Sequence, residues 1–139
     1  LRRPGIMPSF EITVREEFAA AHRLRLADGS WEPLHGHNWR VQVELAGPRL
    51  DAIGVLADFT DIRGMLRDAA GRLHDSCLND LGEFQDRNPS AENVAVYFYN
   101  ALRNRIPDGV RLRRVRVWET DACAAAVVAD SETTDAPYN

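Results

Sequence analysis

From Trp39 to Leu45 the chain alternates without interruption: Trp39, Val41, Val43 and Leu45 share one parity, and Arg40, Gln42 and Glu44 the other. A period of two serves a β-strand with one face on a core and the other toward polar surroundings. A shorter alternation precedes it, with Phe10, Ile12 and Val14 set against Glu11, Thr13 and Arg15. Between them, residues 26–34 contain Asp28-Gly29-Ser30 and Pro33, the composition of a loop or a broken hairpin connection. Gly47-Pro48 ends the second strand.

Helical spacing then takes over. Ile62, Leu66, Ala69, Ala70 and Leu73 recur at the period of an amphipathic helix, with Asp58 and Thr60 as candidate caps. After a loop over 75–88, a second helix opens near Asn88-Pro89-Ser90, with Glu92 in its first turn, where a negative charge suits the helix dipole. Its buried stripe is Val94, Phe98, Ala101 and Leu102. Pro107-Asp108-Gly109 marks a turn. Leu112, Arg114, Arg116 and Trp118 then oppose Val115, Val117 and Glu119 on a strand, and residues 123–129 read as a last one. The expected order is ββααββ, an α+β domain with antiparallel strands and both helices on one face.

A chain of 139 residues suits one core. A single domain is expected over 8–129, with poorly ordered ends at 1–7 and 130–139. The net charge of −4 argues against non-specific nucleic-acid binding, which needs a basic surface. The sequence contains no lysine, which excludes lysine Schiff-base chemistry. Two cysteines, Cys77 and Cys123, make no disulfide framework and suit a reducing, cytoplasmic setting. No apolar run approaches a membrane span.

The four histidines are His22, His35, His37 and His74. His35-Gly36-His37 is the informative pair, because residues two apart on an extended chain face the same way. Two such imidazoles can converge on one ion, and Gly36 lets the backbone bend between them. His22, after Ala19-Ala20-Ala21, is the natural third ligand, which leaves the open fourth position of a catalytic zinc site. The pair alone is equally compatible with solvent-facing or hydrogen-bonded histidines.

Phe18-Ala19-Ala20-Ala21-His22-Arg23-Leu24 and Leu34-His35-Gly36-His37-Asn38-Trp39 together resemble the zinc signature of the 6-pyruvoyl- and 6-carboxytetrahydropterin synthase family. The resemblance continues through Ala57-Asp58-Phe59, Leu78-Asn79-Asp80, Asn88-Pro89-Ser90-Ala91-Glu92-Asn93 and Val117-Trp118-Glu119-Thr120, in order, from about Phe10 to Val128. It implies a T-fold, a four-stranded antiparallel sheet backed by two helices, assembled into an oligomeric barrel, usually a hexamer. It also implies sites at subunit interfaces, with Zn²⁺ at one end and a pterin anchor at the other. His22, His35 and His37 would hold the metal. Glu119, followed by Thr120, would bind the pterin substrate through charge-assisted hydrogen bonds.

The chain departs from that pattern in two places. The family's usual general base is a cysteine shortly before the His-Gly-His; here Trp31 stands there, and an indole cannot remove a proton. Glu32, three residues before His35, resembles the family's glutamate variant and is the substitute base. The family's Asp-His pair appears reversed, as His74-Asp75, and either residue could serve in proton transfer. His74 could instead cap the preceding helix. Arg111, Arg113, Arg114 and Arg116 read as a solvated strand face, with a triphosphate contact as the alternative. The resemblance implies 7,8-dihydroneopterin triphosphate as substrate. Glu32 in place of the cysteine favours 6-hydroxymethyl-7,8-dihydropterin, of the folate branch, as product. The other readings are 6-carboxy-5,6,7,8-tetrahydropterin formation and a non-catalytic protein that binds zinc and pterin.

Overall fold

The computed structural model describes residues 9–129, and the expectations for 1–7 and 130–139 lie outside them. The two alternating segments become long strands, β1 (Phe10–His22) and β2 (His35–Gly47), paired antiparallel over their whole length from Phe10↔Gly47 to His22↔His35. Helix α1 (Phe59–Leu73) follows, then the two-residue strand β3 (Ser76–Cys77), α2 (Ala91–Leu102), β4 (Arg111–Thr120) and β5 (Cys123–Val128). The sheet order is β3-β1-β2-β4-β5. β3 is the one departure from the expected four strands. It runs parallel to β1 beside Ala20 and Ala21, and is too short to show any periodicity in the sequence.

Both helices cover one face of the sheet. In α1 the buried residues are Ile62, Leu66, Ala69, Ala70 and Leu73, the stripe that the spacing predicts, and Asp58 caps it by accepting from the Thr60 N–H. Ser90 caps α2 through the Asn93 N–H, and Val94, Ala95, Phe98 and Leu102 face inward. Ala101 is only half-buried, so the expected stripe is shifted slightly. Against the helices the sheet sets Val14, Phe18, Trp39, Val41, Val43, Leu45, Val115 and Val117.

The parity expected for β4 is corrected by a bulge. Between Glu44↔Arg114 and Leu45↔Leu112 the register slips by one residue, leaving Arg113 unpaired. Leu112 therefore turns into the core with Val115 and Val117, while Arg114 and Arg116 face the helix-free side. A bulge of this kind inserts a residue and reverses the alternation on one side of it.

Residues 23–32 continue β1 and the approach to β2 as a narrow hairpin. Arg25 bridges Trp31, Leu26 N–H donates to Ser30 O at 2.7 Å, and Gly29 supplies the φ of 86° at the tip. This ribbon and the ends of β1 and β2 place the candidate site.

Candidate metal centre

β1 ends on His22 and β2 begins on His35, directly paired, with His37 opposite Ala20 on the same face. The three side chains point to the helix side. Their ligand atoms all lie within 4.8 Å of one another, and the ring centroids are 4.6–5.1 Å apart. Beneath them sits Trp39, fully buried, its ring 4.8 Å from that of His22 and 5.5 Å from that of His37. Trp39 is itself stacked on Phe18 and donates its Nε1–H to Ala20 O at 3.1 Å. The triad thus rests on fully buried core side chains.

Hydrogen bonds on the far side of two rings set their tautomers. His22 Nδ1 lies 2.7 Å from Pro89 O and His35 Nδ1 lies 2.8 Å from Pro33 O. A carbonyl only accepts, so each Nδ1 carries a proton, and Nε2 is the ring nitrogen left for a metal. His22 Nε2 and His37 Nε2 are buried with no hydrogen-bond partner. Burial first, and then the neighbouring His22, hold the His37 imidazole below its usual pKa, in the neutral form a metal needs. Three convergent imidazoles, two with buried partnerless Nε2 atoms and two anchored through Nδ1 to backbone carbonyls, make a donor set suited to a metal. The residues present fit one ion.

Gly36 forms a regular pair with Ala21, and a Cβ there would meet nothing closer than Ala20 O at 3.8 Å. The bend that this glycine permits is not used; the strand pairing alone brings the histidines together.

Two carboxylates border the triad. Glu32 Oε1 is 4.0 Å from His35 Nε2 and also accepts from the Leu24 N–H at 2.9 Å. Glu119 Oε1 is 3.7 Å from His22 Nε2, because β4 pairs with β2 and brings its end alongside. The separation expected between metal and anchor is therefore not present within a single chain. Thr120, beyond Glu119, is exposed and accepts from the Ala122 N–H at 3.3 Å.

His74 and Asp75 are not brought to this triad. The His74 backbone closes α1 on Ala70 O, but its side chain turns to β1, where Nδ1 accepts from the Ala19 N–H at 3.1 Å. Asp75, at a left-handed φ of 57°, donates its own N–H to Ala19 O and places Oδ2 3.3 Å from His74 Nε2. Ala19 lies on the parity opposite His22, and Asp75 borders a cavity lined also by Ala19, Ala21, Gly36 and Asn38. Within the arginine cluster, Arg113 pairs with Glu11, Arg114 with Glu44, and Arg116 lies over Trp118.

Sequence reasoning missed the partners that hold the ribbon. Asn79 accepts from the Arg23 N–H at 2.9 Å and donates to Arg23 O at 2.8 Å; Asn88 does the same for Arg25, at 2.8 and 3.0 Å. Each amide stands in for one residue of a neighbouring strand. The signal was present in Leu78-Asn79-Asp80 and Asn88-Pro89-Ser90, although only the fold shows what those asparagines grip.

A sequence profile described as 6-pyruvoyl tetrahydropterin synthase matches residues 11–130. The dihydroneopterin monophosphate aldolase of Pyrococcus furiosus is 30% identical over 108 residues, covering 78% of this chain and 88% of that protein. A putative 6-carboxy-5,6,7,8-tetrahydropterin synthase of Archaeoglobus fulgidus is 28% identical, with 79% and 88% covered. The human 6-pyruvoyl tetrahydrobiopterin synthase is 32% identical over 125 residues, with 80% and 86% covered. Among solved structures, the 6-pyruvoyl tetrahydropterin synthase of Caenorhabditis elegans superposes with a TM-score of 0.78 at 22% identity, covering 89% of this chain and 98% of that one. Two variants of the Plasmodium vivax 6-pyruvoyltetrahydropterin synthase superpose with a TM-score of 0.70 at 19% identity, over 86% and 97%. They are described as catalytic-residue mutants, glutamate to cysteine and glutamate to alanine.

Proposed function

Because this chain belongs to the 6-pyruvoyl tetrahydropterin synthase family, we propose that it is a zinc-dependent lyase acting on the side chain of 7,8-dihydroneopterin triphosphate, with 6-hydroxymethyl-7,8-dihydropterin as product. The observation that carries the choice of product is Glu32, a carboxylate 4.0 Å from His35 Nε2 in a segment without cysteine. The names of the aldolase from P. furiosus and of the glutamate variants from P. vivax support the same reading.

His22, His35 and His37 hold the metal through their Nε2 atoms. Bound zinc supplies Lewis acidity toward the side-chain oxygens of the substrate. Glu32 takes the proton from the second side-chain hydroxyl, and the bond between the first two side-chain carbons breaks. Its electron pair passes into the pterin ring, the second carbon leaves as an aldehyde carrying the phosphate, and the first carbon is reprotonated. Glu119 and Thr120 bind the substrate, with the Glu119 carboxylate presented beside His22. The His74-Asp75 pair faces away from its own triad, so any part it takes in proton transfer is at a site completed by a second copy, in a homo-oligomer that we propose to be a hexamer. Among the described residues, β5 and the part of β1 that β3 leaves uncovered are sheet edges, which suits such an assembly.

A second reading, formation of 6-carboxy-5,6,7,8-tetrahydropterin, is favoured by the name of the A. fulgidus relative. Incubating zinc-replete protein with 7,8-dihydroneopterin triphosphate and identifying the product by mass separates the two. The hydroxymethyl product is expected. The carboxy product would replace this reading with the second, and no turnover would favour a binding protein without catalysis.

A further inference from the structure

Two indoles of the described residues carry more than one arginine: Trp118, where Arg40 is paired with Asp121 and Arg15 is bonded to Gln42 beside Arg116, and Trp31, where no carboxylate pairs with either arginine. Those at Trp31 are Arg23 and Arg25, over an exposed ring. The Arg23 guanidinium carbon is 4.5 Å from the Trp31 ring centroid and that of Arg25 is 5.6 Å away. An aromatic face attracts each cation but carries no net charge to offset two of them. The backbone of both residues is nevertheless fixed, each by the paired amide hydrogen bonds of Asn79 or Asn88. Two like charges gathered on one ring and anchored there, without a carboxylate, are arranged for an anion. Planar guanidinium forks match a phosphate oxygen pair, and the ring limits the rotations they would lose on binding.

We propose that Arg23 and Arg25, spread over Trp31, form a binding site for a phosphate group or a short chain of them. Arg23 directly follows His22, while alternation turns Trp31 away from the side on which Glu32 meets His35. The site therefore adjoins the histidine triad across the thickness of the ribbon and is not part of it. Two sources share this chemistry: the phosphate end of a substrate, which rests on the pterin reaction proposed above, and a free inorganic polyphosphate.

The test titrates inorganic tripolyphosphate into the full chain and follows the Trp31 indole N–H by nuclear magnetic resonance, assigned with Trp31→Phe. A saturable shift is expected in the wild type, and Arg23→Gln with Arg25→Gln should weaken it by about tenfold or more, as loss of charge-assisted hydrogen bonds requires. An unmoved Trp31 signal in the wild type, or equal affinity in the double variant, overturns the site. Kinetics then assign the source. A KM raised for phosphorylated but not for unphosphorylated dihydroneopterin identifies the substrate's phosphate. Unchanged kinetics with lost tripolyphosphate binding identifies the free anion. Absence of any turnover, with the titration intact, counts against the proposed reaction and leaves the phosphate site standing.

Discussion

The histidine triad and the ribbon that carries Glu32 meet within a few ångströms, yet they are built differently. His22, His35 and His37 stand on fully paired strands above Trp39, and their positions follow from the register of β1 against β2. Glu32 stands on a hairpin whose outer edge, among the described residues, has no strand beside it. Asn79 and Asn88, 56 and 63 residues away in sequence from the arginines they grip, complete that edge with side-chain amides. The first region is held by packing and ladder hydrogen bonds, the second by a few polar contacts near solvent. A histidine set on fully paired strands beside a carboxylate on an amide-clamped hairpin suits the proposed division between metal ligands and base.

The comparison breaks first at the triad. His22→Ala, His35→Ala and His37→Ala should each remove stoichiometric zinc binding, read by metal analysis after gel filtration, since two ligands remain where three converged. Full zinc occupancy in His35→Ala would show that the register does not build the site. Glu119 reaches the triad from a paired strand and is proposed to bind substrate, so Glu119→Gln should keep zinc and kcat while raising KM by roughly ten- to a hundredfold, the worth of a charge-assisted hydrogen bond. A fall in kcat at constant KM would move Glu119 among the groups that act only during reaction. Asn79→Ala and Asn88→Ala loosen the ribbon alone. Each should lower kcat several-fold with zinc retained, and lower unfolding stability by about 1–2 kcal/mol in denaturant titrations. Zinc loss in either variant would mean the two regions are one mechanical unit. The smallest effect is expected of His74→Ala, which should leave zinc binding unchanged, because its Nδ1 is committed to Ala19.

The same contrast decides what could be read from the sequence. The four longer strands, both helices and the histidine pair were legible because each is a local period, as in Trp39 to Leu45, Ile62 to Leu73, and His35 to His37. Leu112 was assigned to the wrong face because the bulge between Glu44 and Leu45 is a property of two strands in register. Glu119 was recognisable as a candidate from its motif, but its place beside His22 depends on the pairing of β4 with β2. The Pro89 and Pro33 carbonyls that fix the histidine tautomers carry no side-chain signature at all. The ribbon's amide clamps join residues more than fifty positions apart, so no window along the chain contains them.

The most direct measurement is turnover of 7,8-dihydroneopterin triphosphate by zinc-loaded Glu32→Gln protein, with zinc content and substrate binding measured on the same sample. Glutamine keeps the size of the side chain and removes the base. Zinc and substrate should bind at wild-type levels while kcat falls by about 10²–10⁴-fold. Near-normal turnover would contradict the assignment of the base to Glu32, and loss of activity on changing His74 or Asp75 instead would place it in that pair.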